Sequence, residues 1–245
     1  MSRPAPLLRS VAAQVGVEAR LTVRRGENLL AMIGLPVAAL ALFGTLGVAG
    51  GRSLETLVPS VLALALVASG LVNLGIATGF ERGYGVLKRL GGSPLGRDGL
   101  IAAKVVVVGV IAVLQVVALV ALALAIGWRP ASDASVSLLG LALVVGSATF
   151  SSLGLLIAGM LRAEATLVLA NVLFLVALLL GGVLVPLEEL PAPLATLALA
   201  SPVGALADAF RAALGGGAGY LASLAIVAAW GLVAAVLTSR TFRWD

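Results

Sequence analysis

Six continuous apolar runs constrain this 245-residue chain more than any motif in it. They cover Leu29–Val48, Thr56–Phe80, Val105–Ile126, Val136–Met160, Thr166–Val185 and Tyr220–Leu237. A helix of about 20 mostly apolar residues crosses the hydrocarbon of a bilayer. Backbone polar groups find no water there, so each run must pair them internally, as a helix does. The runs are unbroken rather than alternating, which argues against the strands of a membrane barrel. Only 11% of the residues are charged and 61% are apolar. Soluble domains carry about 25% charged residues, and one soluble core cannot hide this much apolar surface. The expected fold is an all-α membrane protein with one six-span domain, residues 29–245, behind an N-terminal segment, residues 1–28. A chain with fewer spans, its fourth or sixth run lying flat, is the alternative. The N-terminal segment holds Glu18 and Glu27 and does not read as a cleaved leader.

The basic residues orient the spans. Arg3, Arg9, Arg20, Arg24 and Arg25 precede the first run, and Arg82, Lys88, Arg89, Arg97 and Lys104 lie between the second and third. Arg162 follows the fourth run, and Arg240 and Arg243 follow the sixth. With six alternating spans these fall on one side, leaving Arg52, Arg129 and Arg211 opposite. Basic residues mark the cytoplasmic side, which predicts that both termini are cytoplasmic. The same asymmetry accounts for the net charge of +5 without invoking nucleic acid.

Several chemistries are disfavoured. The sequence contains no His and no Cys, so it lacks the usual metal ligand, general base and thiol nucleophile. No catalytic residue and no metal ligand is expected. Neither Lys88 nor Lys104 follows a Gly, so no phosphate-binding loop of the G-x-x-x-x-G-K type exists. The span interiors carry essentially no ionisable residue, which argues against a self-powered carrier. Their polar residues are mild. Asn73, Gln115 and Asn171 are candidates for a substrate path, although interhelical hydrogen bonding is the plainer reading. Gly75, Gly79 and Gly83, four apart, allow a close helix–helix approach.

The segments outside the spans carry more information. Residues 7–27 place Leu7, Leu8, Val11, Val15 and Ala19 on one arc of a helix, with Arg9, Arg20 and Arg24 opposite. A basic amphipathic helix in the membrane interface is expected, although Glu18 and Arg25 intrude on its apolar arc. The stretch Glu81–Lys104 opens with the pair Glu81-Arg82 and predicts a short helix, Tyr84–Leu90, ended by Gly91-Gly92 and Pro94. The stretch after the fifth run is too apolar for a solvated loop. Yet Pro186, Pro191, Pro193 and Pro202 forbid a single span. A pair of short re-entrant helices, Leu194–Ala200 and Val203–Leu214, satisfies both constraints.

Taken together, these features resemble the type-2, export-type permeases of ATP-binding-cassette transporters. The resemblance rests on Glu81-Arg82, Gly85, Leu87, Pro94, Arg97 and Lys104 in the first loop. In the second loop it rests on Gly181-Gly182, Pro186, Leu190-Pro191, Pro202 and Arg211. Small drug-efflux permeases of the daunorubicin-resistance kind are the nearest subgroup.

The resemblance implies a permease in the bacterial plasma membrane, in contact with membrane lipids and paired with a second permease chain, identical or paralogous. A cytoplasmic ATPase subunit would hold the ATP and Mg, and this chain would bind no cofactor. The coupling contact would use Glu81, Arg82, Gly83, Tyr84, Gly85, Leu87, Lys88, Arg89, Pro94 and Arg97. Gly181, Gly182, Pro186, Leu190, Pro191, Pro202 and Arg211 would build an external gate. The cargo would be hydrophobic or amphipathic, drug-like or lipid-like. A channel or carrier working alone, or a membrane scaffold such as a respiratory-complex assembly factor, is the alternative.

Overall fold

The computed structural model describes residues 7–24, 26–45, 53–91, 95–185, 189–215 and 219–243, and every regular element among them is helical. In chain order the helices are α1 (Leu7–Arg24), α2 (Gly26–Thr45), α3 (Leu54–Leu66), a π-helical segment (Val67–Asn73), α4 (Leu74–Gly83), α5 (Val86–Gly91) and α6 (Gly96–Ala125). They continue with α7 (Val136–Met160), α8 (Ala163–Leu180), α9 (Ala192–Ala200), α10 (Pro202–Ala213) and α11 (Tyr220–Thr241). Five stretches are long and apolar enough to cross a membrane: Leu54–Gly83, α6, α7, α8 and α11. The pair α9–α10, bent by 80°, is a broken span or a re-entrant loop. Helix α2 covers the first predicted run as far as Thr45, with Met32–Thr45 as a shorter apolar helix, and residues 46–48 of that run lie outside the described residues.

Leu54–Gly83 is the axis of the protein. From Leu57 to Leu71 every residue is buried, so this stretch is surrounded by the other helices on all sides. Two of its three buried hydroxyls turn back on their own helix, Ser60 donating to Thr56 O at 3.0 Å and Ser69 to Ala65 O at 3.1 Å, while Thr78 Oγ1 has no hydrogen-bond partner among the described residues. Halfway along, the ladder widens into the π segment, a feature that often marks functional sites. Gly70 of that segment lies against α7 backbone. A Cβ there would meet Phe150 C and Ser151 N at 2.9 Å, and one on Gly154 would meet Leu71 O at 3.0 Å. Lower on the axis, Gly75 faces Gly154 and Gly79 faces Thr166 of α8. The glycine row therefore admits two different helices. Because the atoms opposite Gly154 are backbone and cannot swing aside, Gly154→Val is expected to destabilise by about 1–3 kcal/mol. The check is the thermal stability of purified protein beside Gly109→Val, where a Cβ meets open space.

Gln115 illustrates how a proline in one span is answered by another. Pro36 of α2 has no N–H, so the carbonyl of Met32, four residues earlier, lacks its helical donor. Gln115 of α6, which is 1% exposed, supplies one: its Nε2 donates to Met32 O at 2.9 Å.

Candidate coupling site

The basic end of the bundle is built around α5. Gly85, at φ +69°, lets the chain turn out of α4 at Tyr84, a conformation that other residues rarely adopt. The short helix starts at Val86 rather than at Tyr84, after that turn. Leu87 is 1% exposed and packs with Leu95 and Leu100, with Val11 of α1, Leu90 and Phe242 alongside. One leucine thus seats α5 on α6, the N-terminal helix and the C-terminal residues together. Tyr84, Val86, Lys88 and Arg89 remain exposed on the outer side of that seat. Arg97 is exposed in the first turn of α6.

The pair Glu81-Arg82, at the end of α4, points inward. Arg82 donates through Nη1 to Gly159 O at 2.7 Å and through Nη2 to Leu161 O. The last carbonyls of a helix have no partner within it, and a cation there also meets the negative end of the helix dipole. Arg82 is therefore a cap for α7. Gly159 is a junction, because its carbonyl also accepts from Arg243 N at 3.2 Å and its Cα lies against the Phe242 ring.

Glu81 pairs with Lys104 at 2.7 Å, and Lys104 pairs in turn with Glu18 of α1 at 3.1 Å. The three side chains are 16%, 4% and 12% exposed, in the order Glu81, Lys104, Glu18. Lys104 was expected at the edge of the third run. It lies well inside α6 because that helix begins at Gly96, ahead of the apolar stretch. Glu18, which broke the apolar arc of the N-terminal helix, does so because that arc packs on α6. Val15 and Ala19 join Met32, Val107 and Ile111 there, and Glu18 reaches Lys104 from the same face. Asn73, at the end of the π segment, lines a cavity of about 50 Å³ beside this triad.

The other proposed path residues lie elsewhere. Gln115 uses its Nε2 on Met32 O, while its Oε1 is buried with no hydrogen-bond partner among the described residues. Asn171 is on an exposed face of α8 and donates to Leu167 O of its own helix at 2.8 Å.

At the opposite end, Ser201 and Pro202 form the elbow between α9 and α10. Ser201 Oγ donates to Ala198 O at 2.6 Å and accepts from Gly204 N at 3.1 Å, and Pro202 occupies the first turn of α10, where its missing N–H costs nothing. Pro191 precedes α9, and Leu190 lies just before it. Gly181 and Gly182 close α8, with a Cβ on Gly181 meeting Val203 Cγ2 at 3.1 Å. Arg211 Nη1 donates to Asp208 Oδ1 at 2.9 Å, and Asp208 accepts from Ser223 of α11 at 2.7 Å. Pro94 and Pro186 lie outside the described residues.

A model of the family described as ABC-2 type transporter matches residues 13–214, from within α1 to the end of α10. The chain belongs to the ABC-2 type transporter family. Membership makes it an integral-membrane permease subunit of an ABC-type exporter, a component that is not itself catalytic. The ABC-2 family implies an ATP-binding-cassette subunit as partner, and the stand-alone carrier and the scaffold are not favoured. No curated protein matches the chain. Of the residues that joined ends of the ABC-2 permease, sequence reasoning missed Glu18 and Gly159. The signal for Glu18 was its position on an otherwise apolar arc.

Proposed function

We propose that this ABC-2 permease works with a second permease chain and a separate ATPase to export a hydrophobic or amphipathic solute from the cytoplasm or inner leaflet of a bacterial plasma membrane. The observation that carries the reading is α5. It is pinned inward by Leu87 and displays Tyr84, Val86, Lys88 and Arg89 outward, as a docking element for an ATPase requires. Push or pull on α5 has rigid outlets: Leu87 to α1, α6 and the C-terminal residues, and Arg82 to the end of α7.

In this scheme the basic end is cytoplasmic, α2 is the first of six spans, and α1 lies in the inner interface as a brace. The elbow pair α9–α10 forms the outer gate, where Arg211, Arg129, Trp128 and Glu55 line a cavity of about 130 Å³. ATP-driven closure beneath the permease biases two packings of the bundle, so the chain needs no reactive group of its own. Resemblance in the two loop motifs supports a place beside the small drug-efflux permeases of the daunorubicin-resistance kind.

The test is reconstitution of the permease with and without an ATP-binding-cassette subunit from the same cell, using the lipophilic dye rhodamine 6G. ATP-dependent dye movement only when both subunits are present is the expected result. Equal movement by the permease alone would replace the exporter with a passive carrier.

A further inference from the structure

A second cavity, of about 280 Å³, lies within this single chain and away from the ionic triad. Pockets for drug-sized ligands start at about 300 Å³, so a cavity just under that size suits a small guest or one part of a larger one. Its wall brings together Leu71 of the π segment, Phe150 of α7, Leu173 and Ala177 of α8, Val203 beyond the elbow and Trp230 of α11.

The two polar groups on that wall are already used. Ser201 bonds Ala198 O and Gly204 N, and Trp230 Nε1–H donates to Ala200 O at 3.0 Å. A cavity with no polar group to spare stays dry and takes apolar guests. Two of its lining side chains, Val176 of α8 and Trp230 of α11, are 43% and 44% exposed. They lie on helices long and apolar enough to cross a membrane, so the exposed edge of the cavity is framed by apolar helix faces.

We infer that this cavity binds the uncharged hydrocarbon portion, aromatic or acyl, of an amphiphile that arrives laterally through the membrane. The polar head of such a ligand stays outside, because nothing in the cavity can solvate it. A seated guest touches the π segment on one side and the Ser201–Val203 elbow on the other. Occupancy is therefore sensed by the central helix and by the outer bent pair together. Binding needs no ATPase, whereas the later fate of the ligand rests on the exporter reading.

The full chain contains no Cys, so Ala177→Cys places a single thiol on the cavity wall. The probe is N-phenyl-1-naphthylamine, an uncharged aromatic amine, added to detergent-purified protein. It is expected to bind saturably, and Ala177→Phe is expected to weaken that binding by about tenfold, or 1.4 kcal/mol. Ala121→Phe, on an exposed face of α6, should leave it unchanged. In a separate measurement the probe should slow the reaction of Ala177→Cys with N-ethylmaleimide several-fold, which decides the matter even if the Phe variant does not fold. Protection by phosphatidylcholine as well as by the probe supports the site and identifies a lipid chain as occupant. Protection by the probe alone supports it with a freely arriving amphiphile. Equal binding by wild type and Ala177→Phe, with no protection by either compound, would overturn the inference. Protection without ATP-dependent transport in the two-subunit assay would leave this site standing and remove the exporter reading.

Discussion

Lys104→Met is expected to destabilise the protein by about 3–5 kcal/mol, the cost of removing one partner from a buried ion pair. Two carboxylates depend on this one ammonium, and both are largely shielded from water. Without it, Glu18 and Glu81 face each other uncompensated, and α1 loses its polar tie to α4 and α6. Glu18→Gln should cost much less, because the Lys104–Glu81 pair survives as a neutral unit. The triple change Lys104→Met, Glu18→Gln and Glu81→Gln should recover most of the loss, since it leaves no buried charge unpaired. Retention of monodisperse protein after heating, read by gel filtration, ranks the three variants. A triple variant no better than Lys104→Met would show that the triad acts through packing instead.

Arg82→Ala should cost about 2–4 kcal/mol, because buried carbonyls left without a donor cost about 1–3 kcal/mol each. Gly159 O keeps its bond from Arg243 N and so contributes less than Leu161 O. Arg82→Lys should restore less than half, since one ammonium cannot span two carbonyls as a guanidinium fork does. These losses are expected in the permease alone. A residue that touched only the ATPase would instead leave the free permease unaltered and weaken the complex.

Much of the architecture was legible because proline and glycine act locally. Pro191 and Pro202 stand at the starts of α9 and α10, which begin at Ala192 and Pro202, within two residues of the starts expected at Leu194 and Val203. Gly85 fixes where α5 begins. The buried polar contacts were harder to read, since each depends on a partner far along the chain. Glu18 and Lys104 are 86 residues apart, and a hydropathy pattern shows one as an intruder on an apolar arc and the other at the edge of a run, without pairing them. Gln115 reads as a path residue from sequence, because nothing there shows that its Nε2 supplies Met32 O with the donor that Pro36 lacks. The π segment VASGLVN carries no pattern that separates it from ordinary apolar helix. The Gly70–Gly154 contact that accompanies it comes from packing between α7 and the axis.

The exposed side of α5 gives the most direct test of coupling. Lys88→Glu with Arg89→Glu changes two side chains that face outward, so the permease should fold and heat-denature as wild type does. Binding of the ATP-binding-cassette subunit, measured by co-purification at fixed ionic strength, is expected to weaken by about tenfold. Undiminished binding and undiminished ATP-dependent transport in that double variant would contradict the assignment of α5 as the coupling element.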